Sequence, residues 1–156
     1  MNFDDWLKTV PETITGDSLW KMEVYRLGLF AADICWYDVT RLMQDKRTLD
    51  LSDQLYRAVG SISANIAEGY SKSTGKDRAR FYEYALGSAR ESRDWYYKAR
   101  HILGEEATHH RLIFMTQIIR LLTTMVPQQR AQGTIRESGP TYEVGFDNLL
   151  NNVPLP

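Results

Sequence analysis

The placement of proline constrains this chain more than any other feature. Its five prolines are Pro11, Pro127, Pro140, Pro154 and Pro156, so none falls between Pro11 and Pro127. A proline inside a helix removes one donor and clashes with the preceding turn. The long proline-free stretch therefore permits long helices, and four segments in it space apolar residues helically. The first runs roughly from Ser18 to Gln44, with Trp20, Val24, Leu27, Ala31, Ile34 and Leu42 near one face and Asp17 or Ser18 as cap. The second starts near Ser52, a good N-cap, and aligns Leu55, Val59, Ile62 and Ile66. It is expected to stop at Gly69, in the left-handed position that follows many helices.

The third segment is the most regular. Phe81, Ala85, Ser88, Ser92, Trp95, Ala99 and Ile102 alternate four and three apart, a heptad-like seam, with Thr74 or Asp77 as cap. After a break near Gly104, Leu112, Met115, Ile118, Ile119, Leu122 and Met125 line a fourth helix that Pro127 is expected to end. Short connections make consecutive helices antiparallel neighbours. The fold class is all-α, an antiparallel up-down four-helix bundle over 18–126. It is preceded by an N-terminal extension, 1–17, and followed by an extended or disordered tail, 127–156.

Both ends carry short amphipathic pieces. Phe3, Trp6, Leu7 and Val10 precede Pro11, and Phe146, Leu149, Leu150 and Val153 share that i, i+3, i+4, i+7 spacing. Such a piece either lies back on its own bundle or docks into a groove on a neighbour or partner.

Length and composition bound the function classes. A chain of 156 residues with 43% hydrophobic residues can bury a real core. Its apolar runs are too short for a membrane span. One cysteine, Cys35, allows no intrachain disulfide and fits a reducing compartment. The acidic "MNFDDWLKTV" does not read as a secretory signal. A cytoplasmic protein is the expectation. A net charge of −1 argues against indiscriminate polyanion binding, yet Tyr70 to Arg100 holds eight basic residues against four acids. The basic residues are Lys72, Lys76, Arg78, Arg80, Arg90, Arg93, Lys98 and Arg100.

A polar stripe adjoins the apolar one. Ala58, Ser61, Asn65 and Glu68 follow helical spacing on the second helix, and Ser88 and Glu91 flank the third helix's seam. Facing each other, these stripes would gather two carboxylates, an amide and hydroxyls, with Arg57, Arg80 and Arg90 as candidate counter-ions. Arg57, Ser61, Asn65, Glu68, Ser88 and Glu91 are therefore expected to form a buried network, mutually satisfied and structural. Two acids also suit general acid–base work, but no nucleophile–base pair accompanies them, and no catalytic residue is assigned. A di-iron bundle needs two Glu-x-x-His motifs. Glu106 and His109 make one, in an expected turn shared with His101 and His110, so no metal site is expected. "GYSKSTGK" is not a Walker A loop: five residues separate its glycines, and Lys76 is followed by Asp77. No cofactor is expected.

"LSDQLYRAVGSISANIAEGYSKS" followed by "RFYEYALGSARES" resembles the bacterial four-helix bundle proteins named for 23S ribosomal RNA intervening sequences. It is similar too to their relatives, the accessory variability proteins of diversity-generating retroelements. The resemblance covers about Trp20 to Val126. It is most specific at Gln54, Arg57, Ala58, Ser61, Ile62, Asn65, Ile66, Ala67, Glu68 and Gly69, then Phe81, Ala85, Ser88 and Glu91. It implies an up-down bundle assembled as a ring-shaped homopentamer, with no established catalysis. For the retroelement relatives it implies a basic surface that engages nucleic acid and a partner reverse transcriptase. This chain departs from that pattern in its pI near 6.3, its N-terminal piece and its long C-terminal tail.

The functional expectation is a non-enzymatic homo-oligomeric adaptor for RNA, DNA or a ribonucleoprotein partner such as a reverse transcriptase. The eight basic residues would contact phosphate, and Tyr82, Tyr96 and Tyr97 would stack on bases. The alternative is a protein-interaction scaffold that binds no nucleic acid directly.

Overall fold

The computed structural model describes residues 1–131 and 145–156. Seven α-helices lie among them: α1 Phe3–Leu7, α2 Glu12–Thr15, α3 Glu23–Leu42, α4 Leu49–Tyr70, α5 Gly75–Leu103, α6 Glu105–Ala131 and α7 Phe146–Asn151. The four long ones, α3 to α6, form the expected all-α bundle, each packing chiefly on its sequence neighbours. Leu27, Phe30, Ile34, Leu42, Leu55, Ile62, Ile66, Phe114, Ile118 and Leu122 are completely buried along the axis. Burial of each such side chain contributes about 1.5–3 kcal/mol.

Several boundaries differ from the sequence reading. The first long helix does not run unbroken from Ser18. Asp17 caps a single 3₁₀ turn, Ser18–Lys21, and Met22 is extended before α3 begins. Arg26 donates to the Trp20 carbonyl at 2.7 Å and ties the turn to the helix. Ser52 does not cap α4: it is buried inside the first turns, and its hydroxyl donates to the Leu49 carbonyl at 2.6 Å. Gly69 is helical, with no positive φ, and α4 continues to Tyr70.

Thr74 caps α5 by accepting from the Asp77 amide, as expected. The buried line of α5 is Tyr82, Ala85, Ala89, Ser92, Tyr96, Ala99 and Leu103. It shares Ala85, Ser92 and Ala99 with the predicted seam, but its other members lie one residue later. Phe81, Ser88, Trp95 and Ile102 are half-buried at the edge. Gly104, at φ 82°, makes the sharp turn into α6. Pro127 does not end α6, which continues to Ala131. Pro127 is exposed, and the carbonyl four residues earlier, on exposed Thr123, can turn to water.

The N-terminal extension packs on its own bundle. Trp6 is buried, with ring centroids of Phe3 and Trp6 lying 5.0 and 5.2 Å from that of Phe30. The C-terminal stretch does the same from Phe146 onward, so it is not an extended tail throughout. Phe146, Leu150 and Val153 are buried, and Val153 exchanges hydrogen bonds with Met1 at 3.2 Å. The part of the predicted tail from 132 to 144 lies outside the described residues. Among those described, no helix is long and apolar enough to cross a membrane.

Candidate functional site

The predicted polar network is not a buried seam. Arg57, Glu68 and Glu91 are exposed, and Ser61, Asn65 and Ser88 are only half-buried. Each member bonds to a residue three or four positions away in the chain rather than across to the other helix. Arg57 pairs with Asp53 at 3.0 Å, Ser61 donates to the Arg57 carbonyl, and Asn65 donates to the Ser61 carbonyl. Glu68 pairs with Lys72, Ser88 donates to the Tyr84 carbonyl, and Glu91 accepts from the Trp95 indole at 3.2 Å. The physical reason is register. The buried positions are held by Leu55, Val59, Ile62 and Ile66 on α4 and by Tyr82, Ala85, Ala89 and Tyr96 on α5, and the polar stripe falls beside them.

The buried charge lies elsewhere. Asp38 of α3 and Arg111 of α6 are both fully buried and form a bidentate pair at 2.8 and 3.0 Å. Tyr96 of α5 donates to the same Asp38 carboxylate at 2.9 Å. Arg111 also donates to His110 Nδ1 at 2.9 Å and to the Pro154 carbonyl at 2.7 Å. His110 Nε2 lies 2.7 Å from the Leu149 carbonyl. These partners fix the imidazole: Nδ1 faces a donor and Nε2 an acceptor, so neutral His110 carries its proton on Nε2. Burial pushes its pKa down to about 4; the Leu149 bond opposes that shift and the Arg111 charge adds to it.

Tyr96 is raised well above the ordinary phenol range, first by burial. Burial also drives the neighbouring Cys35 thiol up to about 12. A thiol so protected is a poor nucleophile. Removing one member of a buried pair costs roughly 3–5 kcal/mol, so Asp38 and Arg111 bind α3 to α6 while Tyr96 brings in α5. The sequence reading named neither Asp38 nor Arg111 as a site residue, and gave Tyr96 a base-stacking role. A signal was present: Asp38 continues Ile34 toward Leu42 at steps of four, and Arg111 precedes Met115 by four. Each places one charge, of opposite sign, on an otherwise apolar stripe.

The eight predicted basic contacts divide. Arg78 is buried and donates to the Lys72 carbonyl and to Gln129, both at 3.0 Å, so it staples the α4–α5 turn to α6. Arg93 is half-buried and reaches Thr116 at 3.2 Å. Lys72 is half-buried over the Phe81 ring, and Lys98 pairs with Asp94 beside Trp95. Lys76, Arg80 and Arg90 are exposed, with Arg100 half-buried, along the outer edge of α5.

Tyr82 and Tyr96 are buried and cannot stack on a base; Tyr97 is 54% exposed. Tyr84, which the sequence reading passed over, lies on that edge at 45% exposure beside Arg80, as Tyr97 does beside Arg100. No group of three or more His, Cys, Asp or Glu side chains among the described residues is placed to hold a metal ion.

Fold and site define an all-α bundle whose Asp38–Arg111 centre is sealed and which exposes Lys76, Arg80 and Arg90 on the solvent side of α5. The chain belongs to the 23S rRNA-intervening sequence protein family, whose model matches residues 21–130. It is similar in fold to a protein of unknown function from the S23 ribosomal protein family of Bacteroides thetaiotaomicron. That likeness has a TM-score of 0.63 at 23% identity, over 66% of this chain and 97% of the other. No curated protein matches the chain.

Proposed function

We propose that the chain is a non-catalytic, homo-oligomeric adaptor that binds nucleic acid, RNA foremost, along the outer edge of α5. The observation that supports this reading is the set of cations and rings on the solvent side of α5, where they are interleaved with the exposed acids Asp77, Glu91 and Asp94. Lys76, Arg80, Arg90 and Tyr97 lie within about 100° of one another round the helix, with Tyr84 and the half-buried Arg100 at the two margins. Cations track a phosphate backbone, and an exposed ring adds roughly 1–3 kcal/mol for each base it stacks on. Family membership supports the bundle as a shared scaffold. A partner such as a reverse transcriptase would engage the same complex as a ribonucleoprotein.

The test is filter binding of single-stranded RNA and DNA. Retention at about 50 mM salt should fall steeply by about 200 mM, because phosphate contacts release counterions. The doubly substituted chain Arg80→Glu, Arg90→Glu should lose at least tenfold in affinity with its helical spectrum unchanged. No retention of either nucleic acid at low salt would remove this reading.

A second reading is a protein-interaction scaffold. It is favoured by an open pocket of ≈ 490 Å³ between α1 and α3, lined by Asp5, Trp6, Asp33, Trp36 and Tyr37. Trp36 is 58% exposed there.

A further inference from the structure

The stretch Gly69–Lys76 lacks the spacing of a Walker A loop, but its last lysine lines an open pocket of ≈ 680 Å³. The pocket lies where the start of α5 meets the end of α6, among Lys76, Asp77, Arg80, Glu83 and Arg130. Three cations face two carboxylates there, and both carboxylates are already engaged. Asp77 accepts from the Thr74 hydroxyl at 2.6 Å, and Glu83 accepts from Arg130. Lys76 is exposed and pairs with no acid among the described residues. Arg80 uses only its Nε, donated to the Tyr84 hydroxyl at 2.8 Å, which leaves its two terminal nitrogens for a ligand.

Such donors suit an anion with several oxygens, because guanidinium and ammonium groups form their strongest hydrogen bonds with charged oxygens. Lys76 and Arg80, one turn apart, begin the cationic side of α5, and Arg130 of α6 adds a cation that α5 alone does not supply. The pocket therefore stands at one end of that surface, where a strand lying along α5 would end. The phosphate at a strand's end is a monoester with a charge of about −1.5 to −2 at neutral pH. An internal phosphate carries only a single charge.

We propose that this pocket binds the terminal phosphate of a nucleic-acid strand. The inference rests on the reading of α5 as a nucleic-acid surface and names the part of the strand that is recognised. Lys76, Arg80 and Arg130 hold the phosphate oxygens. The exposed ring of Tyr84, whose hydroxyl Arg80 holds, receives the first base. The pocket's volume lies in the range of small-molecule sites, so a terminal nucleotide fits together with its phosphate.

Filter binding should compare three RNAs of one sequence, carrying a 5′-phosphate, a 3′-phosphate or hydroxyls at both ends. At low salt a phosphorylated RNA should bind roughly tenfold more tightly than the hydroxyl-ended one, as one further hydrogen bond between charged groups would give. Inorganic phosphate, added at constant ionic strength, should cancel that preference and leave the hydroxyl-ended RNA bound. The doubly substituted chain Lys76→Gln, Arg130→Gln loses two exposed cations and should bind all three RNAs alike, with its helical spectrum unchanged. Equal binding of the three RNAs by the wild-type chain would overturn the terminal-phosphate assignment while leaving the α5 surface standing. A preference that survives the double substitution would place the phosphate elsewhere and overturn the pocket. Retention of no RNA at all would remove the α5 reading and this inference with it. In that case a melting temperature raised by inorganic phosphate would assign the pocket to a free phosphate compound instead of a strand.

Discussion

At Gly69 the main chain of α4 rests against α5. A Cβ there would lie 2.7 Å from Cε1 of Tyr82 and 2.9 Å from Cβ of Phe81, closer than carbon atoms pack. Tyr82 is fully buried, so its ring has no open direction in which to yield. Gly69→Ala should therefore destabilise the bundle by about 1–3 kcal/mol through overpacking. Gly60 is the internal control. It lies on the same helix, where an added Cβ would meet nothing within 4 Å, and Gly60→Ala should stabilise by about 0.5–1 kcal/mol. Urea unfolding of both variants reads the contrast. Opposite signs are required; a neutral Gly69→Ala would mean that the helices separate at little cost. The sequence marked Gly69 as special but for the wrong reason, because close approach and left-handed turning both select glycine. Spacing along one chain cannot distinguish them. The same limit hid Asp38 and Arg111, since a charge on an apolar stripe becomes intelligible only when its partner on another helix is known.

Among whole elements, helical periodicity made α3, α4, α5 and α6 legible, because burial along an axis imposes a repeat that survives local irregularity. Their ends were less so. The start of α4 is set by the preceding turn, where the Thr48 hydroxyl donates to the Leu42 carbonyl at 2.6 Å, rather than by a local cap at Ser52. α7 owes its position to docking, which composition does not encode. That docking carries a pH dependence.

His110 titrates near 4 when folded and near the ordinary value of about 6.5 when unfolded. Below about 6.5 the unfolded chain takes up a proton that the folded chain refuses, so this residue's contribution to stability falls as pH drops. The fall stops near 4, where the folded chain also takes up the proton. Protonation places an N–H on Nδ1 opposite the Arg111 donor, which breaks the bond that orients the ring. Melting temperature should thus decline between about pH 6.5 and 4 in the wild-type chain. Gln is chosen for comparison because its amide supplies one donor and one acceptor without titrating. In His110→Gln the decline should be shallower, and equal slopes would rule His110 out as its source.

Across the whole molecule, the four long helices leave one flank of rings facing outward. Trp36 and Tyr37 of α3 are 58% and 46% exposed, Tyr56 of α4 is 45% exposed, and Trp36 meets Tyr56 at 6.1 Å in a T-shaped contact. Beside them on α4 is exposed Ala64, small enough for another helix to come near. A soluble monomer seldom leaves so many neighbouring rings exposed, whereas a copy of the same chain could cover them. The polar stripe through Arg57, Ser61 and Glu68 borders this flank on α4, where it would form the wet rim of such a contact rather than its apolar centre. The proposed homo-oligomer follows from that arrangement. Light scattering should give a mass several times that of one chain. The doubly substituted chain Trp36→Glu, Tyr56→Glu should scatter as a single chain while keeping its helical spectrum, since neither side chain supports the core. A single-chain mass for the wild type would reject assembly. A multimeric mass that survives both substitutions would move the contact to another face, with the outer edge of α5 next in line. In that case the nucleic-acid and assembly readings would compete for one surface, and substitutions at Arg80 and Arg90 would change mass and RNA retention together.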